Sequence, residues 1–398
     1  MKHMLCVLLT FSLTLCAGRI TAQDAFSTDV RVWLMRWQSA PLRITCEAPW
    51  QALSRDNSTN IPPAAVVVAE VKGNRVVLRL GTAAVRSEEW NLQGEAPFTL
   101  SSMQGNNSRT YRGRIVLRVN RGRLQVLNVL PLEDYLLGVV PLEMPPSFPA
   151  EALKAQAISA RSWTVRNRLK HQADGADVCD GIHCQVYGGV TAERESTSTA
   201  VRSTAGLILV RDDAPVDATY TADCGGQPAS GNHSTPLPPD TSESGQDYCS
   251  ANPQHRWSLG FSFLEVWQAA GEKDSPQSTP KGDVDVQIAQ TDAGRRVLKV
   301  QIRCGDFVRE ISGAQLRSRL SLPSTLFSVR LDQGNAVVFE GSGSGHGAGL
   351  CQWGAAGRAR AGQSADQILQ AYFPGARIVP LSEAMWEWRK NRKNSSVR

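Results

Sequence analysis

Five segments between Val30 and Leu130 constrain the fold most: VRVWLM, AAVVVAEV, NRVVLRL, GRIVLRV and RLQVLNVL. Each is rich in branched apolar residues, which favour the pleated surface of a sheet. Short turns separate several of them. KGN at 72–74 and NRG at 120–122 have the Gly/Asn chemistry of tight hairpins. A β-rich region is expected here, without a cluster of residues that could do chemistry.

The texture then changes. PPSFPAEALKAQAISARSWTVRNRLKHQ is built from strong helix formers, with Ser147 placed to cap and Pro149 suited to the first turn. From Ala173 to about Trp257 the chain is rich in loop residues. Strand texture returns in DVDVQIAQ, RRVLKVQI and LFSVRLDQGNAVVFEG. A short helix, SADQILQAY, follows, with Ser364 and Gln367 spaced as a capping box and Pro374 beyond its end. The expected class is α+β: a β-rich N-terminal region, 24–110, followed by a mixed α+β core with a cleft, 111–380.

The first 22 residues have a basic start, an apolar run from Met4 to Leu15 and small residues near Ala22, the pattern of a secretory signal. Without them, 41 basic residues face 37 acidic ones. That mild positive charge suits an anionic polymer, and nothing points to nucleic acid. The expected location is outside the cytoplasm, periplasmic or wall-associated, with the membrane met only through the export signal. The tail 381–398 is basic and polar, as solvated termini are.

Glu143 lies between Pro141 and Pro145–Pro146, with Leu142, Met144 and Phe148 close in sequence. Prolines stiffen the backbone, and apolar neighbours raise a carboxyl pKa, so Glu143 is a candidate general acid. Lys154, Ile158, Arg161 and Val165 share one helix face. The two cations there could hold an anion or the Glu143 carboxylate, or simply snorkel from an amphipathic helix.

Seven cysteines lie beyond the signal: Cys46, Cys179, Cys184, Cys224, Cys249, Cys304 and Cys351. The spacing of Cys179 and Cys184 permits a disulfide or a metal clip, and Cys179, Cys184, Cys224 and Cys249 could together supply four zinc ligands. Export favours disulfides. His183 and His233 then read as ordinary loop histidines. In GSGSGHGAGLCQWGAAG, residues 341–357, His346 and Cys351 invite a cysteine-nucleophile reading.

LPLEDYLLGVVPLEMPPSFPAEALKAQAISARSWT, HCQVYGG at 183–189, CGG at 224–226 and the stretch from GHGAGLCQWGAAG to Ile378 resemble, in order, the blocks of the SpoIID/LytB family, the stage II sporulation protein D and amidase-enhancer group. The resemblance implies a lytic transglycosylase acting on peptidoglycan glycan strands stripped of peptides. It matches Glu143 to the family's catalytic acid, and Lys154 and Arg161 to its lysine and arginine. It implies that Gln185, Tyr187, His346, Gln352 and Trp353 line or support the cleft. Trp353 stands where tyrosine is common, and an indole suits sugar stacking. Members usually carry a small residue at the Cys351 position, which argues against a nucleophile there. Some members hold zinc near the cysteines, so a structural zinc is the only cofactor implied and none is required for the chemistry. Two rival activities stay open: a non-catalytic wall-binding enhancer of an amidase, and a two-carboxylate muramidase using Glu133 or Asp134.

Overall fold

The computed structural model describes residues 29–39, 41–103, 107–229, 237–271, 282–332 and 336–384. The expected export signal, the tail from residue 385 and His233 lie outside them. Two sheets form the N-terminal part. The first has seven strands, in the order Val178–Cys179, Asp29–Trp33, Arg123–Pro131, Arg114–Asn120, Glu89–Gly94, Trp50–Leu53 and Ser58–Ile61. The second has six, in the order Ser108–Tyr111, Phe98–Ser102, Leu42–Cys46, Val67–Lys72, Arg75–Leu80 and Ala83–Ser87. Their inner faces share one core, which includes Trp50, Trp90, Phe98, Ile44, Leu100 and Leu117.

Both expected hairpins are present. Lys72 pairs with Arg75 and Asn120 with Arg123. Arg121 and Gly122, at φ 52° and 75°, take the left-handed pair that a two-residue turn requires. The hairpin 114–131 belongs to the N-terminal sheet, because it pairs with Asp29–Trp33 and Glu89–Gly94. A boundary at 110/111 therefore cuts the strand Ser108–Tyr111 of the six-stranded sheet and parts this hairpin from its seven-stranded one.

Eight helices are described: α1 Leu132–Leu137, α2 Val140–Glu143, α3 Ala150–Arg166, α4 Glu195–Ser203, α5 Phe263–Ala270, α6 Gly313–Leu320, α7 Gln352–Arg360 and α8 Ala365–Tyr372. None is long and apolar enough to cross a membrane. α3 is the central helix. It contacts α4, α7, α8 and the strand Leu207–Arg211, and Ala152, Ala155, Leu209, Ala356 and Ile368 share the core there. Small alanines let these helices approach closely. Pro149, not Ser147, occupies the N-cap of α3, so its first N–H groups receive no side-chain cap. The Ser364–Gln367 capping box forms as expected.

Residues 256–342 make a third unit with its own core of Val266, Trp267, Val300, Ile302 and Phe339. Its entry and exit strands, Arg256–Ser262 and Ala336–Ser342, pair along their whole length. The chain thus leaves and rejoins the central part at one neck, where Gly343 N–H donates to the His255 carbonyl.

Candidate active site

Glu143 ends α2, a single turn with Pro141 at its start. Pro145 disfavours helical backbone in the residue before it, and Met144 is extended accordingly. The carboxylate is half-buried, and its Oε1 accepts the Val186 N–H at 2.7 Å. Burial pushes the Glu143 carboxyl pKa up, while the Val186 N–H and Tyr220 pull it part of the way back. The Tyr220 hydroxyl is buried beside the same carboxylate and the Gln185 amide, just outside bonding geometry.

Tyr220 is placed by the glycine loop. Tyr220–Thr221 pairs in parallel with Leu350–Cys351. His346 Nε2 lies 2.9 Å from the Tyr220 carbonyl, and its Nδ1 accepts the Ala348 N–H. The hydrogen-bond network therefore assigns a neutral ring with the proton on Nε2. Both ring nitrogens are engaged, and desolvation of the ring lowers its pKa more than the Tyr220 carbonyl raises it. In this geometry His346 clamps the Tyr220 backbone. The loop glycines serve the same packing. A Cβ on Gly349, at φ 72°, would lie 2.0 Å from the Thr219 carbonyl oxygen, and one on Gly347, at φ 79°, would meet the Arg296 guanidinium. The close approach is to neighbouring chain, and the Gly347 N–H is taken by Thr221 Oγ1.

The helix-face cations sit differently from expectation. Arg161 is fully buried and forks onto Glu133, Nε to Oε1 at 2.8 Å and Nη2 to Oε2 at 2.7 Å. It also donates to the Leu207 and Val201 carbonyls. Arg161 thus ties α1, α3 and α4 together and does not hold Glu143. The pairing also occupies Glu133, one of the two carboxylates considered as a partner for Glu143. Lys154 pairs with Glu151 at 2.7 Å, and Glu151 in turn accepts the first N–H of α8.

Gln185 and Tyr187 are core residues. The Gln185 carbonyl oxygen accepts from Thr164 and Tyr135, and its amide donates to the Ala160 carbonyl. The Tyr187 hydroxyl donates to Asn128 Oδ1, with its ring against Tyr135. Both flank Val186 and so fix the N–H that Glu143 uses. Gln352 is buried against Gln156 of α3. Trp353 is half-buried, its ring edge-on to Phe148 at 4.8 Å.

The cysteines separate into two clusters, so Cys179, Cys184, Cys224 and Cys249 do not form one metal site. None of the seven described cysteines is joined in a disulfide, against the expectation. In the first cluster His171, Cys179, His183 and Cys184 converge. His171 Nε2 to His183 Nδ1 is 3.2 Å, and Cys184 Sγ is 3.4 and 3.8 Å from these nitrogens. Zinc bonds of about 2.0 Å to nitrogen and 2.3 Å to sulfur give tetrahedral edges of about 3.3 and 3.5 Å. The donor set and its spacing fit zinc. His183 thus joins a candidate ligand set, and His171 joins it from a helix-to-loop junction that the sequence does not mark. The C-x3-H-C run was the available signal. The second cluster holds Cys224, Cys249 and Cys351 with Asp223.

The SpoIID family model, stage II sporulation protein, matches residues 120–210, which carry Glu143, Arg161 and the first cysteine cluster. The stage II sporulation protein D of Bacillus amyloliquefaciens is 30% identical over 271 residues, 64% of this chain and 75% of that protein. The chain belongs to the SpoIID family. An uncharacterized protein of Brachyspira hyodysenteriae is 29% identical over 355 residues, 88% of this chain and 92% of its own length. The amidase enhancer of Bacillus subtilis is 29% identical over 299 residues, 61% of this chain but 40% of that protein.

Proposed function

We propose that this chain is a lytic transglycosylase of peptidoglycan glycan strands, with Glu143 as acid and then base. One observation carries the reading. A half-buried carboxyl with a raised pKa is held at Oε1 by the Val186 N–H, while Glu133 is committed to Arg161. Oε1 is an acceptor, so the mobile proton belongs to Oε2. Protonated Glu143 gives that proton to the glycosidic oxygen as the bond to C1 of N-acetylmuramic acid breaks. The carboxylate then takes the proton of the same sugar's C6 hydroxyl, whose oxygen closes on C1 as a 1,6-anhydro ring. No water is consumed, and no second carboxylate is needed. A muramidase would require two carboxyl groups flanking the bond.

The leader-like residues 1–22 support an exported site of action. A second reading, a wall-bound enhancer of an amidase, is supported by the relative of that name. Product mass separates the three. Purified protein is incubated with peptide-stripped glycan strands, and anhydro-ended products are one water lighter than reducing-ended ones. Anhydro products that vanish in Glu143→Gln support the transglycosylase. Reducing ends support the muramidase. No cleavage, with an amidase accelerated on intact wall, supports the enhancer.

In this reading His171, Cys179, His183 and Cys184 hold a structural zinc, which supplies a fixed cross-link and no chemistry at the substrate. Val186 lies two residues past Cys184, so the cross-link fixes the N–H that orients Glu143. Cys184→Ser is expected to lose about one metal equivalent and roughly 10²-fold in turnover, the cost of misplacing a catalytic group by about an ångström. Metal analysis and the cleavage assay, run together, check it. Full turnover without the metal would break the link.

His346→Ala is expected to lower turnover about tenfold by loosening Tyr220, a loss of about 1.4 kcal/mol in transition-state stabilisation. The pH–rate profile should keep its shape, because His346 carries no proton in the reaction. Tyr220→Phe removes a group that lowers the Glu143 pKa, so it should move the basic limb upward. Because it loosens Tyr220, His346→Ala should move that limb the same way by a smaller amount; the loss of a limb from the profile would give the imidazole a titrating role instead.

A further inference from the structure

The second cysteine cluster lies outside the chemistry above. Cys224 follows the strand carrying Tyr220, Cys249 precedes the neck of the 256–342 unit, and Cys351 is the N-cap of α7. These three segments, far apart in sequence, bring three sulfurs and an Asp223 oxygen within 4.8 Å of one another. All four residues are fully buried.

Three features point to a ligand. Cys224 Sγ and Cys249 Sγ are 3.8 Å apart. A tetrahedral thiolate site with bonds of about 2.3 Å has an S···S edge of about 3.8 Å, whereas a disulfide needs about 2.05 Å. Cys351 Sγ accepts the N–H groups of Cys224, at 3.1 Å, and Gly354, at 3.3 Å. Two backbone donors aimed at one sulfur favour its thiolate, as outer-shell hydrogen bonds do in metal centres. Finally, Arg296 is buried against the cluster. Its Nη2 donates to the Cys224 and Gln227 carbonyls, while Nε and Nη1 have no hydrogen-bond partner. A buried guanidinium needs a countercharge. Of the acids nearby, Asp240 is matched by Arg358 and Asp223 by His255 and Asn252, while Asp292 accepts the Arg296 backbone N–H and supplies part of the countercharge. Three neutral thiols add nothing to the countercharge that Asp292 gives Arg296. Three thiolates around a divalent cation carry one net negative charge.

We propose that Cys224, Cys249 and Cys351 bind a thiophilic divalent cation of the zinc class as thiolates, with the Asp223 carboxylate closing the coordination sphere. Binding exchanges three thiol protons for the metal. Asp223 keeps its hydrogen bonds from Asn252, Gly225 and His255, as ligating carboxylates do. The centre staples the Tyr220 strand, the neck and α7 at one point. It is separate from the His171–Cys184 cluster and does not depend on the glycan-cleaving reading.

The test is metal stoichiometry on the purified full chain, with zinc counted by elemental analysis and cobalt(II) substituted for thiolate charge-transfer spectra. Cys351→Ser is the informative variant, because a serine hydroxyl still caps α7 and accepts the Cys224 N–H while the thiolate is lost. Wild type is expected to hold about two equivalents, and Cys351→Ser one fewer, with its circular dichroism unchanged. Cys184→Ser, the control, should also lose one equivalent but keep the spectrum of the three-thiolate site. Should wild type hold a single equivalent, its loss in Cys351→Ser supports the proposal and its retention overturns it. If Cys351→Ser fails to fold, wild type decides by the same spectra: cobalt bound by three thiolates supports the centre. A Cys224–Cys249 disulfide, two hydrogens lighter by mass, or three metal-free thiols in wild type overturns it.

Discussion

Glu143→Gln is expected to abolish glycan cleavage while leaving the fold at least as stable at neutral pH. The amide keeps the acceptor for the Val186 N–H and cannot give or take a proton. A single general acid contributes about 10²–10⁴-fold, and a residue serving both proton transfers should fall at or beyond the upper end of that range. The stability effect has the opposite sign. Burial raises the Glu143 pKa above its unfolded value, so the folded protein holds that proton more tightly than the unfolded chain. Wild-type stability from this group is therefore fullest below the unfolded pKa of about 4.3 and falls as pH rises through the raised folded value. Glutamine carries no charge and suffers no such loss. Melting temperatures of the two proteins should coincide in acid and diverge in favour of the variant towards neutrality. The wild-type rate should fall over the same range as the acid deprotonates. A variant that still cleaves, or a stability gap that widens in acid, would contradict the assignment.

The parts of this molecule that are local in sequence could be read from it. Branched residues alternating with Gly/Asn turns specify the hairpins 72–75 and 120–123, because backbone twist and a positive φ are set within four residues. The capping box of α8 is likewise a four-residue event. Glu143 stood out because prolines on both sides announce a held backbone. What could not be read is who meets whom across the fold. The acceptor role of Glu143 depends on an N–H 43 residues away, and the clamp on Tyr220 comes from His346, 126 residues on. The four cysteines chosen as one ligand set divide because Cys179 sits on the edge of the N-terminal sheet, whereas Cys224 and Cys249 lie in the helical core. The glycine loop around His346 could equally admit a ligand. Its free backbone instead lets the chain pack against residues 219–221. Composition cannot separate those uses, since both need a missing Cβ and a positive φ.

Arg161 is where a functional expectation becomes a prediction about folding. Arg161→Ala is expected to destabilise the protein by about 3 kcal/mol. That is the lower end of the range for breaking a buried pair, because the Glu133 side chain is 38% exposed and water screens part of its charge. The loss has two sources. Glu133 keeps only the Gly206 N–H at Oε1, and the Leu207 and Val201 carbonyls each lose a charged donor. Against a total of about 5–15 kcal/mol this is a large fraction. Arg161→Lys should recover little, since an ammonium cannot reproduce two parallel bonds and reach both carbonyls. Glu133→Leu alone leaves the guanidinium buried without its carboxylate and should cost as much as Arg161→Ala. The double variant Arg161→Met/Glu133→Leu should be more stable than either single one, because it removes both charges and keeps the volume. Urea denaturation checks the set: the midpoint should fall in the single variants with the slope unchanged, and rise again in the double. Cleavage per folded molecule, measured well below the melting temperature, should then stay near wild type in all of them. If Arg161 instead gripped the substrate, the double variant would recover its midpoint and not its turnover.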